Sequence, residues 1–524
     1  MSNLDSDAPY FLGVDAGTMH IKSVLFDLDG NELAIFGKDV GVEYPKPGWA
    51  EQNMIGLWRA TAETIKGVMN KVGVSGEDIA AVCPTGQGHG SFLIKRDGTP
   101  ARENAIIWLD TRKRDIMDEW YKGWKESGLA AEIYEVSGWR LIFSMQIMHL
   151  AWLARNEPEV LRRTYAHLEC KDWLRFKLVG KPCMDITAAS MTGLYNTARL
   201  KWEDMLFERT GIPREIFPEV LGSWELAGEV TRAAAEATGL REGTPVAAGA
   251  VDICSSGLGA GVIYPGICCS IIGTAGIHEM CVDKPLYDKN RGYSVGCAAA
   301  PGRWYLEAIA VTAGSCLRWF RDVLGFEEVR KAEVEGEDVY EIYNRYVRQT
   351  SLGANGLLFH PFFSGERSPI VKPNARGTFY GLGLWTKKND LVRAIYEGVG
   401  FATKDNIRLF QEAGLKPESI HLVGGGARSE EWCQMISDIT GYTVRVPLGE
   451  EFGAKGCAIE AGVVAGVYRD PFHGVERTVR IAREYHPRPE NSRKYGRLFE
   501  CYRKLYEHLW SFYEFHSKVM DEIS

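Results

Sequence analysis

The sequence predicts an α/β protein made of two related halves. Short apolar segments alternate with segments of helical periodicity along the first half, which is the pattern of an α/β fold. Each half also contains two apolar segments that flank a short turn with Gly and Thr. These segments are 10–14 and 23–27 in the first half, and 266–272 and 277–282 in the second half. The repeated strand–turn–strand unit indicates a duplicated fold.

The first half supplies most of the elements behind this prediction. Asp29-Gly30 follows the second apolar segment, and this pair is a turn signal that predicts a hairpin. Apolar residues at helical spacing predict helices at 54–72 and 116–125, and an apolar run predicts a short strand at 79–84. A further apolar run at 246–251 predicts a buried strand. Strands and helices therefore alternate, as they do in α/β proteins.

The glycine-rich stretch at 255–265 marks the junction between the halves. We place a first domain at residues 8–258, a second at 264–485 and a helical tail at 488–524. The tail carries large apolar residues at helical spacing, namely Tyr495, Leu498, Phe499, Tyr502, Leu505, Tyr506, Leu509, Phe512 and Tyr513. We expect this face to pack on the body of the protein or on a neighbouring subunit rather than to bind a ligand.

Composition and charge exclude several classes of protein. The 524 residues are too many for one ordinary core, so two large domains are expected. The formal net charge of −8 argues against a nucleic-acid or membrane-surface protein, because such proteins usually have a basic face. No segment reaches the roughly 18 uninterrupted apolar residues of a membrane-spanning helix. The polar N-terminus and the dispersed cysteines favour a reduced, cytoplasmic compartment and no structural zinc.

Three glycine-rich turns are candidate phosphate sites, at residues 13–18, 273–276 and 423–428. Glycine lets backbone N–H groups approach an anion closely, and the sequence contains no Walker A loop that would serve instead. Beside the first turn, Asp15 could hold Mg²⁺ through water, and Lys22 offers a positive charge. Taken alone, each turn is more typical of an ordinary structural turn.

Two further segments carry candidate catalytic and binding residues. Asp252 follows the apolar run at 246–251 and precedes a helix start, where the helix dipole would keep its carboxylate ionised. It fits either a catalytic base or a helix N-cap. His89 lies between two glycines in the GQGHG segment at 86–90, where it and Gln87 offer donors and acceptors for hydroxyl groups. A histidine in such a loop is also common without any ligand.

The order of the motifs resembles the FGGY carbohydrate kinases over most of the chain. The series is GVDAGT (13–18), GQGHG (86–90), IIWLDTR (106–112), KDWLRFKLVG (171–180), VDICSSGLGAG (251–261), GTAG (273–276), SGERSP (364–369), ARGTFYGL (375–382) and LVGGGARSEEW (422–432). The segment 377–397 matches the spacing of that family's C-terminal signature most specifically. Within the family, GQGHG and GERSP with ARG are most similar to xylulokinases. The segment KPGWAEQ (46–52) also resembles L-xylulose kinases and erythritol kinases.

The resemblance implies two ribonuclease-H-like domains of the actin and hexokinase type, with ATP and Mg²⁺ in a central cleft. It implies that Asp252 is the catalytic base. Nucleotide contacts are implied or suggested for Asp15, Gly17, Thr18, Lys22, Gly273, Thr274, Gly314, Gly424, Gly425, Gly426 and Ala427. Substrate contacts are implied for Gln87, His89 and Asp252, and Asp110 lies in a nearby family motif.

These implications predict ATP-dependent phosphorylation of a small sugar or polyol at a primary hydroxyl. A ketopentose such as L-xylulose or xylulose is the expected acceptor, and erythritol or another polyol is the alternative. The chain departs from the family pattern at His149, where many members have Lys, and at Gly88, which leaves space beside Gln87 and His89. Rival interpretations are an actin-like ATPase that acts as a binding or regulatory module, and an inactive member that senses sugars. We expect a small-molecule partner, no nucleic acid and no membrane, and leave a homodimer open.

Overall fold

The computed structural model describes residues 9–113, 122, 126 and 128–523. The helix predicted at 116–125 falls outside these residues except for Lys122. The chain forms two compact units. Unit 1 contains the residues up to Tyr264 together with Cys281–Tyr305 and Glu451–Val479. Unit 2 contains Pro265–Met280, Leu306–Glu450 and the residues from Arg480 onward.

The elements alternate along the described chain. The strands are β1 Tyr10–Ala16, β2 His20–Asp27, β3 Glu32–Asp39, β4 Glu51–Asn53, β5 Ile79–Gly86, β6 Phe92–Ile94, β7 Asn104–Ile106, β8 Ala166–Leu168, β9 Met184–Asp185, β10 Tyr195–Asn196, β11 Lys201–Trp202, β12 Val220–Leu221, β13 Leu226–Glu229, β14 Pro245–Ala247, β15 Ile267–Ile272, β16 Gly276–Val282, β17 Ser294–Cys297, β18 Trp304–Ala310, β19 Leu358–His360, β20 Thr378–Tyr380, β21 Ser419–Val423, β22 Val444–Pro447 and β23 Ile481–Tyr485. The α-helices are α1 Met54–Val72, α2 Leu129–Ser137, α3 Gln146–Asn156, α4 Pro158–Arg163, α5 Cys170–Val179, α6 Ile186–Met191, α7 Asp204–Thr210, α8 Arg232–Thr238, α9 Asp252–Gly259, α10 Gly314–Val323, α11 Phe326–Glu335, α12 Val339–Gln349, α13 Lys388–Glu412, α14 Glu430–Thr440, α15 Phe452–Val464, α16 Pro471–Thr478 and α17 Pro489–Ile523.

Each unit is built on its own mixed sheet. The strand order is β13-β14-β5-β1-β2-β3 in unit 1 and β18-β16-β15-β21-β22-β23 in unit 2. In unit 1, β1 pairs antiparallel with β2 and parallel with β5. In unit 2, β15 pairs antiparallel with β16 and parallel with β21. The same three-strand arrangement therefore lies inside both sheets, which confirms the predicted α/β class and the duplication.

Helix α1 shows how local sequence sets an element of unit 1. It covers the residues that the periodicity predicts, from 54 to 72. The Asn53 side chain caps its N-terminus by accepting a backbone hydrogen bond at 2.7 Å. Gly73 ends it with φ of 75°, a left-handed conformation that glycine adopts without strain. Between these ends the helix buries Leu57, Ile65 and Val68 in the core of unit 1.

The aromatic tail forms α17 and packs on unit 2, which confirms the first of the two packing surfaces expected from the sequence. The side chains of Tyr495, Phe499, Tyr502, Tyr506 and Tyr513 are buried. The Tyr506 hydroxyl donates to Asp405 Oδ2 at 2.8 Å, so the contact is polar as well as apolar. Phe512 differs from the prediction, since 53% of its surface is exposed.

The described part of the chain contains no helix with the length and hydropathy required to span a membrane. The cysteines are free thiols, and all of them except Cys501 are buried. Their burial agrees with the interpretation of these residues as core side chains.

Candidate active site

The segment that leads to Asp252 differs from the predicted strand. Strand β14 ends at Ala247, and the backbone of 248–251 runs irregularly to the start of α9. Side chains distant in the sequence bind this backbone: Thr85 Oγ1 donates to the Ala250 carbonyl at 2.7 Å, and Val251 N donates to Thr187 Oγ1 at 3.0 Å. Ala248 N and Gly249 N still donate to backbone carbonyls, but Gly249 has a φ of 73°, which is not a strand conformation. Beyond it, Ala250 and Val251 bind these side chains instead of a neighbouring strand.

Asp252 is the first residue of α9, and it is half-buried. Val251 occupies the cap position, so the alternative interpretation of Asp252 as the N-cap is wrong. The Asp252 carboxylate accepts a hydrogen bond from Ile253 N at 2.8 Å. This backbone donor and the positive end of the helix dipole both stabilise negative charge at this position. Asp252 is therefore suited to accept a proton from a ligand.

The GQGHG loop follows β5 and lies against the segment before Asp252. A Cβ atom added to Gly88 would lie 4.0 Å from Val251 Cγ1 and 3.3 Å from Met191 Cε. The loop therefore lies next to the residue that precedes Asp252. Met191 fills part of the space that the sequence predicts to be open beside Gly88.

His89 has a backbone conformation that non-glycine residues rarely adopt, with φ of 59°. Its ring packs edge-on against Trp139, with the centroids 5.2 Å apart, and Nδ1 lies 3.3 Å from Gln146 Oε1. The next amide, Gly90 N, donates to Glu169 Oε2 at 3.2 Å. Strained conformations that neighbours hold in place are concentrated at functional sites. These three neighbours come from distant parts of the chain and lie outside the quoted motifs, so no sequence signal marked them.

Asp15 and Lys22 face each other across the β1–β2 hairpin of unit 1. Lys22 Nζ is 3.9 Å from Asp15 Oδ2 but 2.5 Å from Glu451 Oε2. Burial raises the pKa of Asp15 above its usual range, and the charge of Lys22 only partly offsets this effect. Burial alone would lower the pKa of Lys22, but the two carboxylates outweigh it and raise that pKa. A Cβ atom on Gly453 would lie 3.2 Å from Asp15 Oδ2, so glycine allows α15 to approach the carboxylate.

Thr18 and Gln87, which the sequence assigns to different ligands, are in direct contact. Thr18 Oγ1 donates to Gln87 Oε1 at 3.1 Å, and the Gln87 side chain is only 2% exposed. Gln52 and Trp108, which are not among the predicted site residues, complete this cluster. Both stand in quoted motifs, KPGWAEQ and IIWLDTR, so the motifs were the available signal.

Asp110 is fully buried, and its carboxylate binds protein groups. It accepts from Ala50 N at 2.7 Å, from Arg112 N at 2.9 Å and from Arg112 Nε at 2.9 Å. A direct contact between Asp110 and a substrate stays a prediction. The geometry gives it a structural task, because it ties the IIWLDTR segment to KPGWAEQ.

His149, which stands where many family members have Lys, is fully buried. Its Nδ1 is 3.1 Å from Ser91 Oγ. Burial lowers its pKa well below the usual value, and the nearby charge of Lys113 acts in the same direction. The side chain at this position is therefore a neutral imidazole rather than a cation.

Unit 2 brings three of the predicted nucleotide segments together. Gly314 N donates to the Gly273 carbonyl at 2.8 Å, and a Cβ atom on Gly314 would lie 2.6 Å from that oxygen. A Cβ atom on Gly424, whose φ is 83°, would lie 2.9 Å from the Ile272 carbonyl oxygen. The start of α10 and the turn after β21 thus converge on the end of β15. Glycine is required at both contacts because the backbones approach so closely.

The residues of the 273–276 and 423–428 turns differ in their exposure. Thr274 is exposed, and Arg318 Nη2 lies 3.5 Å from its hydroxyl oxygen. A Cβ atom on Gly426 would lie 2.6 Å from Ile272 Cγ2. For Gly425, no heavy atom of the described residues beyond its chain neighbours lies within 4 Å of that position. Gly425 therefore has the open face that a ligand could approach, and Ala427 is buried behind it.

Glu460 is a buried acid behind the segment that leads to Asp252. Its Oε2 accepts hydrogen bonds from the Cys83 thiol at 3.2 Å and from Ala250 N at 3.4 Å. Burial raises its pKa from 4.5 to about 8. The protonated form is therefore favoured in the folded protein below about that pH.

This pKa predicts a pH-dependent stability that Glu460→Gln should remove. Because the folded pKa lies above the unfolded value, the contribution is complete below about pH 4.5 and is lost as the pH rises through about 8. Between these limits the free energy of unfolding should fall by up to about 1.4 kcal/mol per pH unit more in the wild type than in Glu460→Gln. Urea unfolding across this range measures both slopes. If the free energies of unfolding of the two proteins change in parallel with pH, folding does not raise the pKa of Glu460.

Comparison with known proteins identifies the family to which the chain belongs. Residues 10–259 match the N-terminal domain of the FGGY family of carbohydrate kinases, and residues 268–465 match its C-terminal domain. An autoinducer-2 kinase of Yersinia pestis bv. Antiqua (strain Angola) is 32% identical, over 94% of each chain. A ligand-bound xylulose kinase and a gluconate kinase, both from Lactobacillus acidophilus, are each 25% identical. In each case the TM-score is 0.87, over 96% of this chain and 99% of the other.

Both family models match in the expected order and together cover most of the chain. The two units repeat one strand arrangement. Asp252 lies near the GQGHG loop in unit 1, and unit 2 brings the glycine turns together. The chain therefore belongs to the FGGY family of carbohydrate kinases and is a phosphotransferase.

Proposed function

We propose that this protein transfers the γ-phosphoryl group of ATP to a primary hydroxyl of a small polyhydroxylated acceptor. One observation carries the proposal: Asp252 begins α9 directly after Val251, and the GQGHG loop lies next to Val251. A carboxylate at a helix N-terminus beside a loop of hydroxyl-binding groups suits a base that acts on an alcohol.

In this mechanism Asp252 accepts the proton of the acceptor hydroxyl. The hydroxyl oxygen forms a bond to the γ-phosphorus, and the bond from that phosphorus to the β,γ-bridging oxygen breaks, which releases ADP. His89 and Gln87 would hold the other hydroxyls of the acceptor. The protein contributes mainly by positioning the two reactants and by neutralising charge, since phosphoryl transfer needs little covalent help.

We assign the nucleotide to the glycine turns. The 273–276 and 423–428 turns of unit 2 would hold phosphates and adenosine through backbone N–H groups, and Thr18 would hold phosphate in unit 1. Asp15 fits a Mg²⁺ ion held through water, because its buried carboxylate needs a positive charge and Lys22 is shared with Glu451. The ion would neutralise charge on the transferring phosphoryl group.

A ketopentose, L-xylulose or xylulose, is our first candidate acceptor. The polar loop supports it, as does the similarity to a solved xylulose kinase. A second candidate is autoinducer-2, because the autoinducer-2 kinases are more similar in sequence, at 32% identity. Erythritol is the third. Fold similarity does not separate these candidates, since a protein named gluconate kinase has the same TM-score. A match to kinases along most of the chain disfavours a purely regulatory ATPase. A cytoplasmic location and a homodimer stay predictions.

The experiment is an assay of ADP release with ATP, Mg²⁺ and a panel of pentuloses, tetritols, autoinducer-2, glycerol and six-carbon acids. A site that hydrogen-bonds particular hydroxyls should reject analogues that lack them. We expect the highest kcat/KM with a ketopentose or autoinducer-2. If glycerol or a six-carbon acid is the best acceptor, the assignment of the acceptor is wrong. If no member of the panel stimulates ADP release, the proposed function is wrong.

A further inference from the structure

The KPGWAEQ segment has no role in the mechanism above, yet its last residue reaches two of the proposed binding elements. Gln52 lies in β4, and its side chain is 1% exposed. Its Nε2 donates to the Thr18 carbonyl at 2.7 Å, and its Oε1 accepts from Gln87 Nε2 at 2.6 Å. One amide therefore bridges the first phosphate turn and the GQGHG loop.

These contacts close into a ring with a fixed direction. Thr18 Oγ1 donates to Gln87 Oε1 at 3.1 Å and accepts from Trp108 Nε1 at 2.9 Å. The Thr18 carbonyl can only accept and the Trp108 indole can only donate, so each amide between them has one possible orientation. Reversing either amide would place two donors or two acceptors face to face. The ring therefore couples the orientation of Gln87 to that of Thr18.

The remainder of the KPGWAEQ segment holds Gln52 in place. The Arg112 guanidinium lies over the Trp49 ring, 3.8 Å from its centroid, and Trp152 packs edge-on against the same ring. Glu51 forms an ion pair with Arg102 at 2.7 Å and another with Arg112. Trp49 and Glu51, which precede Gln52 in the segment, are thus both held by buried or half-buried arginine side chains. The amide is presented by a rigid support rather than by a mobile loop.

We propose that Gln52 is a positioning residue that links the acceptor loop to the phosphate turn. The ring would hold Gln87 and Thr18 in one mutual arrangement, so the acceptor contact at Gln87 and the phosphate contact at Thr18 would depend on the same amide. Loss of the Gln52 amide would disturb both contacts together. A buried polar network acts as a unit, because the loss of one member leaves its partners unpaired. This inference rests on the proposed function.

A double-mutant cycle between Gln52 and Gln87 tests the link. Methionine has a similar length and shape but cannot replace the amide hydrogen bonds, so the variants are Gln52→Met, Gln87→Met and the double variant. We expect each single change to lower kcat/KM for the best acceptor about tenfold and the double change to lower it by little more. Ser23→Ala is the control, since it removes a buried hydrogen bond to Thr64 in unit 1 outside the ring. Its kcat/KM should stay at the wild-type value.

Gln52→Glu provides an independent reading if the methionine variant does not fold. A carboxylate can accept from Gln87 but cannot donate to the Thr18 carbonyl, whereas a protonated carboxyl can. The activity of Gln52→Glu relative to wild type should therefore rise as the pH is lowered. A hundredfold loss in the double methionine variant, an unchanged Gln52→Met or a flat pH ratio for Gln52→Glu would overturn the link. An inactive wild type would instead refute the proposed function.

Discussion

Asp252→Asn is expected to lower kcat at least about 100-fold while the affinity for ATP stays near the wild-type value. Asparagine has the size and shape of aspartate, so the packing at the start of α9 should persist. The change removes the proton acceptor that the mechanism places next to the acceptor hydroxyl. Steady-state kinetics with the best acceptor, together with calorimetric titration of ATP, measure the two quantities separately.

Asp204→Asn is the matched control for this variant. Asp204 is also the first residue of a helix, α7, and it also follows a residue that forms no side-chain cap. Both substitutions therefore remove the same favourable interaction with a helix dipole, of about 0.3–1 kcal/mol. Only Asp252 lies beside the GQGHG loop. If Asp252→Asn keeps more than about a tenth of wild-type turnover, or if the control loses as much, Asp252 is not the base.

Gly425→Val is expected to raise the KM for ATP about tenfold or more and to leave the KM for the acceptor nearly unchanged. The Cβ atom of the added side chain would lie in open space in unit 2, so we expect the penalty to come from a bound ligand. Gly426→Val is a less informative variant, because its side chain would collide with Ile272 and disturb the turn itself. Kinetics with each substrate varied in turn provide the comparison.

Gly41→Val controls for the effect of a larger residue at an open glycine, since Gly41 also has no described neighbour within 4 Å apart from those adjacent in the chain. Its kinetic constants should equal those of the wild type. If Gly425→Val raised both KM values equally, or only the value for the acceptor, the nucleotide would not lie against this turn.

Features set by neighbouring residues were predictable from the sequence. Asn53 and Gly73 mark the two ends of α1, and the predicted helix has the observed bounds. The hairpin of β1 and β2 and its counterpart in the second half follow from apolar segments on either side of a Gly-Thr turn. These signals act within a few residues, so a single sequence contains them in full.

Features set by distant residues were not predictable. The apolar run at 246–251 looks like a strand, but the strand ends at Ala247, and the backbone of Ala250 and Val251 binds the side chains of Thr85 and Thr187. An apolar run shows burial and does not show which partners satisfy its backbone.

The same limit applies to the candidate site. Glu451 approaches Lys22 although 429 positions separate them, and no local pattern marks that pair. The Gln52 ring joins residues 34 to 90 positions apart, and each of them lay in a quoted motif. The motifs therefore located the chemistry, whereas the hydrogen-bond partners required the fold.

Analysis of the reaction product distinguishes phosphoryl transfer to the acceptor from simple hydrolysis of ATP. Wild-type protein is mixed with ATP, Mg²⁺ and the best acceptor of the panel, and the products are followed by phosphorus NMR and mass spectrometry. Transfer to a primary hydroxyl predicts equal amounts of ADP and singly phosphorylated acceptor. The new phosphorus signal should be coupled to the protons of a primary carbon. Release of ADP with inorganic phosphate and an unchanged acceptor would contradict it.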